Sequence, residues 1–177
     1  MFLTEFFGYF SLSALNMWAF LMAFLFNIFV YSLGVKRDTT LLLSSFVMMV
    51  SYSSSDYFLT WLSINELTYF DWALYDFFTI ATLCIAYKII KKTTPSFIYL
   101  LIGLLVNLLL TLSMHLDTFI LHNQKPWLLW DVYTVGVTVI DLLMVVSLIF
   151  DRDFLALHKL KNKTLSYFKS NDTHKVT

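Results

Sequence analysis

Five runs of about twenty mainly apolar residues follow one another along this chain, near 11–33, 40–62, 70–90, 96–115 and 127–150, with short polar breaks between them. Nothing else in the sequence limits the fold as much. A helix rises about 1.5 Å per residue, so each run matches the ~30 Å hydrocarbon core of a bilayer. Inside that core an unsatisfied backbone group costs several kcal/mol, which leaves helices and closed barrels as the spanning structures. Uninterrupted runs of this length predict helices. Only 14% of the residues are charged and 59% are hydrophobic, against about 25% charged in a soluble domain. That is too little polar surface to cover a water-facing exterior. The expected fold is all-α, a polytopic integral membrane bundle of five transmembrane helices over 1–150, followed by a basic tail over 151–177. A bacterial inner (plasma) membrane is the expected location, and the lipid bilayer the first partner.

The bases sort by side. Lys36, Arg37, Lys88, Lys91, Lys92, Arg152 and the tail lysines share one side under this topology. Glu5, Asp56, Glu66, Asp71, Asp76, Asp117 and Asp131 fall on the other, with Lys125 among them. The positive-inside rule puts the basic side in the cytoplasm, so the N-terminus is expected outside and the C-terminus inside. The opening MFLTEFFGYF carries Glu5 and no base, unlike a cleaved secretory signal. In the tail, Phe154, Leu157, Leu160, Thr164 and Phe168 keep helical spacing, with Lys159, Lys161, Lys163 and Lys169 around them. This predicts a short amphipathic basic helix on the inner leaflet, free to meet a cytoplasmic protein partner. The bland alternative is a solvated charged tail. A formal net charge of zero and a short basic cluster argue against nucleic acid.

Asp141 is the unusual residue. It lies ten residues before Asp151, roughly 15 Å along a helix axis and so near mid-membrane. A charge there costs about 2.5–3.5 kcal/mol on insertion scales. Asp141 is therefore expected to face other helices, either protonated and hydrogen-bonded or beside a wet path, within one subunit or between subunits, as a packing residue first and with a direct part in cation or proton movement as the alternative. Candidate partners at its depth are Asn107, Asn27, Ser51 and Ser53. The serine run SYSSSDYF (51–58) points first to close helix packing, with a wet cavity as the alternative. Asp56, Glu66, Asp71, Asp76, His115, Asp117, His122 and Asp131 form an expected outer vestibule, pH-sensitive or cation-attracting; the bland alternative, and the favoured one, is an exposed polar loop. Their spacing fits no metal motif, and no metal or cofactor is expected. WALYDFFTIA (72–81) echoes WLLWDVYTVG (127–136) at an offset of 55, which suggests equivalent parts for Asp76 and Asp131. The lone Cys84 permits no intramolecular disulfide and reads as a small buried or lipid-facing residue.

The sequence has no P-loop, GxSxG, HExxH or CxxC motif, and no enzyme activity is expected. Short loops leave little mass outside the membrane. The leading expectation is a small homo-oligomeric membrane protein acting as a channel-like or sensor-like component of a larger membrane system. A transporter or substrate-binding membrane subunit for a small cationic solute is the alternative. So is a non-catalytic subunit of a bacterial immunity or anti-phage system, which this chain resembles in size and topology alone. A structural scaffold is the plainest reading.

Overall fold

The computed structural model describes residues 12–34, 38–62, 69–91, 94–123 and 125–151, with side chains described at these positions except 12–13 and 56–62. The regular structure described is all helical. It comprises α1 (Leu12–Ser32), α2 (Thr39–Leu62), α3 (Tyr69–Ile90), α4 (Pro95–His115), a π-helical turn (Leu116–Ile120) and α5 (Leu128–Phe150). Four segments are long and apolar enough to cross a membrane: Ala14–Ser32, Tyr69–Ile90, Pro95–Ile120 and Leu128–Phe150. The remaining helix, α2, has 24 residues and is the most polar of the set, because of its serines. Large apolar side chains point outward, among them Met22, Phe78, Ile89, Leu109 and Val139. A soluble protein would bury them; on these helices they suit acyl chains, as expected of a membrane-embedded protein.

Helix ends follow local chemistry. Thr94 caps α4 by accepting from the Phe97 N–H at 3.4 Å, and Pro95 occupies the first turn, where its missing N–H costs nothing. Asp151 ends α5 in the left-handed region (φ 45°), donating its N–H to the Ser147 carbonyl at 2.8 Å. Its carboxylate then accepts from the Ser96 N–H (3.2 Å) and hydroxyl (2.7 Å), pinning the last turn of α5 to the first of α4.

The helices close a ring. Each packs on its sequence neighbour, and α5 returns to α1. Directions alternate: Phe20 meets Tyr52 while Phe24 meets Phe46, so α1 and α2 are antiparallel. Asn16 reaches Asp141 while Asn27 reaches the Leu148 carbonyl, so α1 and α5 are parallel. An alternating ring with an odd number of members must have parallel first and last helices, as these bonds require. The bundle therefore has a Thr94 end and a Trp127 end. The apolar core, including Phe20, Ala23, Met48, Leu83, Leu100, Leu104, Met144 and Leu148, fills the half toward the Thr94 end. There α4 and α5 approach closely: a Cβ on Gly103 would sit 2.6 Å from the Met144 sulfur, the kind of contact small residues allow in lipid.

Candidate functional site

Where the apolar core stops, Asp141 begins a polar cluster. It stands at the middle of α5, 2% exposed, and accepts three hydrogen bonds from three other helices. The donors are Asn16 Nδ2 on α1 (2.6 Å), Tyr52 Oη on α2 (2.6 Å) and Asn107 Nδ2 on α4 (2.7 Å). Both amides turn their NH₂ groups to the carboxyl oxygens of Asp141. Their carbonyl oxygens then face elsewhere. Asn16 Oδ1 and Asn107 Oδ1 are buried and have no hydrogen-bond partner among the described residues.

A cavity of about 240 Å³ extends from Asp141 toward the Trp127 end, lined by side chains from all five helices. Asp76 on α3 is in its wall, and among the described residues no donor reaches that carboxylate. Trp72, Tyr75 and Tyr133 give aromatic surface, and Ser51, Ser55, Thr111, Thr134 and Thr138 give hydroxyls. Those hydroxyl hydrogens are already spent. Thr111, Thr134 and Thr138 donate to carbonyls one turn back at 2.7–2.9 Å, and Ser55 to the Tyr52 carbonyl at 3.1 Å. Thr79 donates to the Tyr75 carbonyl (2.7 Å), so in its 2.5 Å contact with Thr79 the donor is Ser51. What the hydroxyls leave to the cavity is lone pairs. Among the described residues no Lys or Arg lines it. Trp72, Tyr75 and Tyr133 also bring an indole N–H and two phenol O–H groups to the lining, and Asp76 and Asp141 bring two carboxyl groups.

The expected site residues divide. Asn107 and Ser51 are on the cavity with Asp141, and so is Asp76. Ser53 is half-buried and outside the lining, while Asn27 lies in the apolar half, donating to the Leu148 carbonyl at 3.2 Å. Asp117 is not open to solvent: it is buried, and it takes Trp127 Nε1 (2.8 Å), Trp130 Nε1 (3.2 Å) and Asn123 Nδ2 (3.1 Å). It latches the turn between α4 and α5. His115 stacks on Phe119 with centroids 5.2 Å apart, and His122 is exposed in the left-handed region at φ 51°. Asp71 and Asp131 lie in the first turns of α3 and α5, a favourable place for acids, and neither lines the cavity. The equivalence suggested for Asp76 and Asp131 is thus not reproduced. Trp72 faces the cavity, whereas its echo Trp127 is held by Asp117. The Asp56 side chain, Glu66 and the tail helix lie outside the described residues. Cys84 is exposed on α3.

Sequence reading missed Asn16 and Tyr52. Asn16 was legible only as a polar residue in an apolar run, near the outer edge by residue count. The packing of α1 on α5 brings it to the level of Asp141. Comparison with protein families, curated proteins and solved structures gives no match to this chain.

Proposed function

We propose that this membrane protein binds a small cationic solute in the cavity above Asp141, as a transporter or a substrate-binding membrane subunit. One observation carries the reading: Asp141 and Asp76 share a cavity that, among the described residues, no Lys or Arg lines, with the apolar core below it. A carboxylate at this depth costs about 2.5–3.5 kcal/mol when unpaired, and a bound cation offsets that cost. The apolar half favours a pocket over an open pore, since a conducting path would have to pass Leu100, Leu104, Met144 and Leu148. Asp141 finds all three donors within one chain, so nothing in its surroundings calls for a second subunit.

In this reading α2 is a fifth crossing that turns Ser44, Ser45, Ser51 and Ser55 inward, and its packing between α1 and α3 supports that place. The exposed Lys88 and Lys91 fall near the Thr94 end, and the positive-inside rule then makes that end cytoplasmic. The cavity faces outward.

The test is calorimetric titration of the full chain in lipid nanodiscs. Probes are tert-butylammonium, tetramethylammonium, sodium and the neutral analogue tert-butanol. At least one cation should bind saturably and tert-butanol should not. Asp141→Asn should weaken that cation by about tenfold or more, which corresponds to about 1.4 kcal/mol. If no cation binds better than tert-butanol, the cavity is not a cation site.

A further inference from the structure

Resting on the cation-site reading, we infer that the ligand is a single-chain amphiphile: its cationic head occupies the cavity, and its hydrocarbon tail lies in a crevice between α2 and α3 that opens to the lipid.

Beside the cavity, α2 and α3 leave a second hollow of about 290 Å³ between them. Phe46, Val47 and Val50 of α2 form one wall, and Phe78, Thr79 and Thr82 of α3 the other. Phe46, Val50 and Phe78 are 45%, 42% and 62% exposed, so the crevice opens on the outside of the bundle, where a membrane protein meets acyl chains. Ser51 and Tyr75 line both this crevice and the cavity. The two spaces therefore adjoin at these residues. Across the same seam the Ser51 hydroxyl donates to Thr79. No other helix stands between cavity and lipid at this level, since the seam belongs to α2 and α3 alone. Joining the spaces asks for a rotamer change at Tyr75, a small and fast motion beside any shift of helices.

The cavity sets the charge of the head. Trp72, Tyr75 and Tyr133 bring donors to it but no positive charge, and among the described residues no Lys or Arg lines it. A phosphate would sit beside Asp76 and Asp141 with nothing to offset its charge, which disfavours phospholipid heads. The crevice sets the course of the tail. It runs from Ser51 and Tyr75 toward Phe46 and Thr82, and so toward the Thr94 end. Phe46 lies five residues before Ser51 on α2, roughly 7–8 Å along the axis. With the Thr94 end cytoplasmic, a head held above and a tail running down is the posture of an amphiphile in the outer leaflet. Such a ligand enters sideways and never takes its tail through water, where apolar surface is unfavourable. Acyl chains are as apolar as the crevice walls, so the tail adds little affinity. It decides which cations arrive, and by which route. The cavity alone, about 240 Å³, lies below the ~300 Å³ at which pockets for drug-sized ligands begin, and cavity and crevice together pass that size.

The test is photolabelling of the intact chain in nanodiscs, beside the small-cation titration. One probe is dodecylammonium carrying a diazirine at mid-chain, and the other is dodecanol carrying the same group. The ammonium probe should label Phe46, Val50 and Phe78 several-fold more than Met22, Leu109 and Val139, which are exposed on other helices. An excess of tert-butylammonium or tetramethylammonium, whichever binds tighter, should abolish that preference. The dodecanol probe should label all six alike. Val50→Trp fills the crevice from outside the cavity lining. It should remove the preference at Phe46 and Phe78 and leave small-cation affinity unchanged. Even labelling by the ammonium probe, a preference shared by the alcohol, or one that the small cation leaves intact overturns the inference. So does a preference unaltered in Val50→Trp, or binding of sodium alone. In each of these cases a cation that still outbinds tert-butanol leaves the cation site standing. Should Val50→Trp fail to fold, the wild-type labelling decides. If no cation outbinds tert-butanol, the underlying reading falls as well.

Discussion

Asp141 is stable in the bundle because it is crowded with donors, and each donor can be removed singly. Tyr52→Phe keeps the ring that packs on Phe20 at 4.2 Å between centroids and deletes only the 2.6 Å bond to Asp141. Hydrogen bonds to charged groups contribute about 1.5–3 kcal/mol in water-soluble proteins, and side-chain bonds in membranes average nearer 0.6. We expect a loss of about 1–2 kcal/mol in reversible detergent unfolding, in the upper part of the membrane range because the acceptor is a carboxylate. Asp141→Leu in the Tyr52→Phe background should cost less than the sum of the single changes, since a buried donor and its acceptor then vanish together. Additive costs would mean that the two side chains do not interact. A second residue-level expectation concerns Asp117. Asp117→Ala strips the indole N–H groups of Trp127 and Trp130 of their shared acceptor. Tryptophan emission should shift and thermal stability fall, while tert-butylammonium affinity holds, because Asp117 is outside the cavity lining. Asp141 itself was legible in the sequence, since a charge in an apolar run has few innocent explanations. Its partners were legible only in part. Depth counted along one helix says nothing of how far a neighbouring helix slides or tilts, and this hid Asn16. Tyrosine is expected in the interfacial belt, and this hid Tyr52.

At the scale of elements, the helices themselves could be read closely. The runs expected at 40–62 and 70–90 appear as Thr39–Leu62 and Tyr69–Ile90, and 127–150 as Leu128–Phe150. Apolar length fixes where a chain enters and leaves the membrane, and Pro95 and the capping residues sharpen the ends. The π-helical turn Leu116–Ile120 was not legible. It depends on the Leu121 N–H reaching the Leu116 carbonyl (2.9 Å) and on indoles from beyond the turn reaching Asp117. Nor could periodicity single out α4 as the most enclosed helix. Half of the 18-residue apolar window within Pro95–Ile120 is buried, against 17% to 28% of the windows in the other three apolar spans. Gly103 makes that position possible. Gly103→Ala would press on Met144, whose flexible end can move, and should cost about 1–3 kcal/mol, the usual range for overpacking. Gly103→Leu should disrupt the contact of α4 with α5. Adding Met144→Ala to Gly103→Ala should recover part of the loss, and unfolding of the single and double variants measures the recovery. No recovery would show that the strain falls on backbone instead of on the Met144 side chain.

The molecule as a whole is polar on one side of Asp141 and apolar on the other, and hydropathy cannot see this. A helix facing an internal cavity and a helix facing water both lose apolar residues, so the serines of α2 lower its hydropathy without saying where they point. The ring resolves the ambiguity by giving Ser51 and Ser55 to the cavity. The asymmetry predicts access from one face only. In a Cys84→Ser background, reconstituted with known orientation, Thr134→Cys lines the cavity wall, Leu104→Cys sits in the apolar core, and Lys91→Cys is exposed at the Thr94 end. A membrane-impermeant thiol reagent should modify Thr134→Cys from the outer face alone and Lys91→Cys from the cytoplasmic face alone. Leu104→Cys should resist from both. Bound tert-butylammonium should slow the reaction at Thr134→Cys and leave that at Lys91→Cys unchanged. If Thr134→Cys and Lys91→Cys react from the same face, the alternating five-crossing topology is wrong. If Leu104→Cys reacts readily, water reaches past the apolar half, and a conducting path becomes the better account of why a carboxylate sits at the centre of α5.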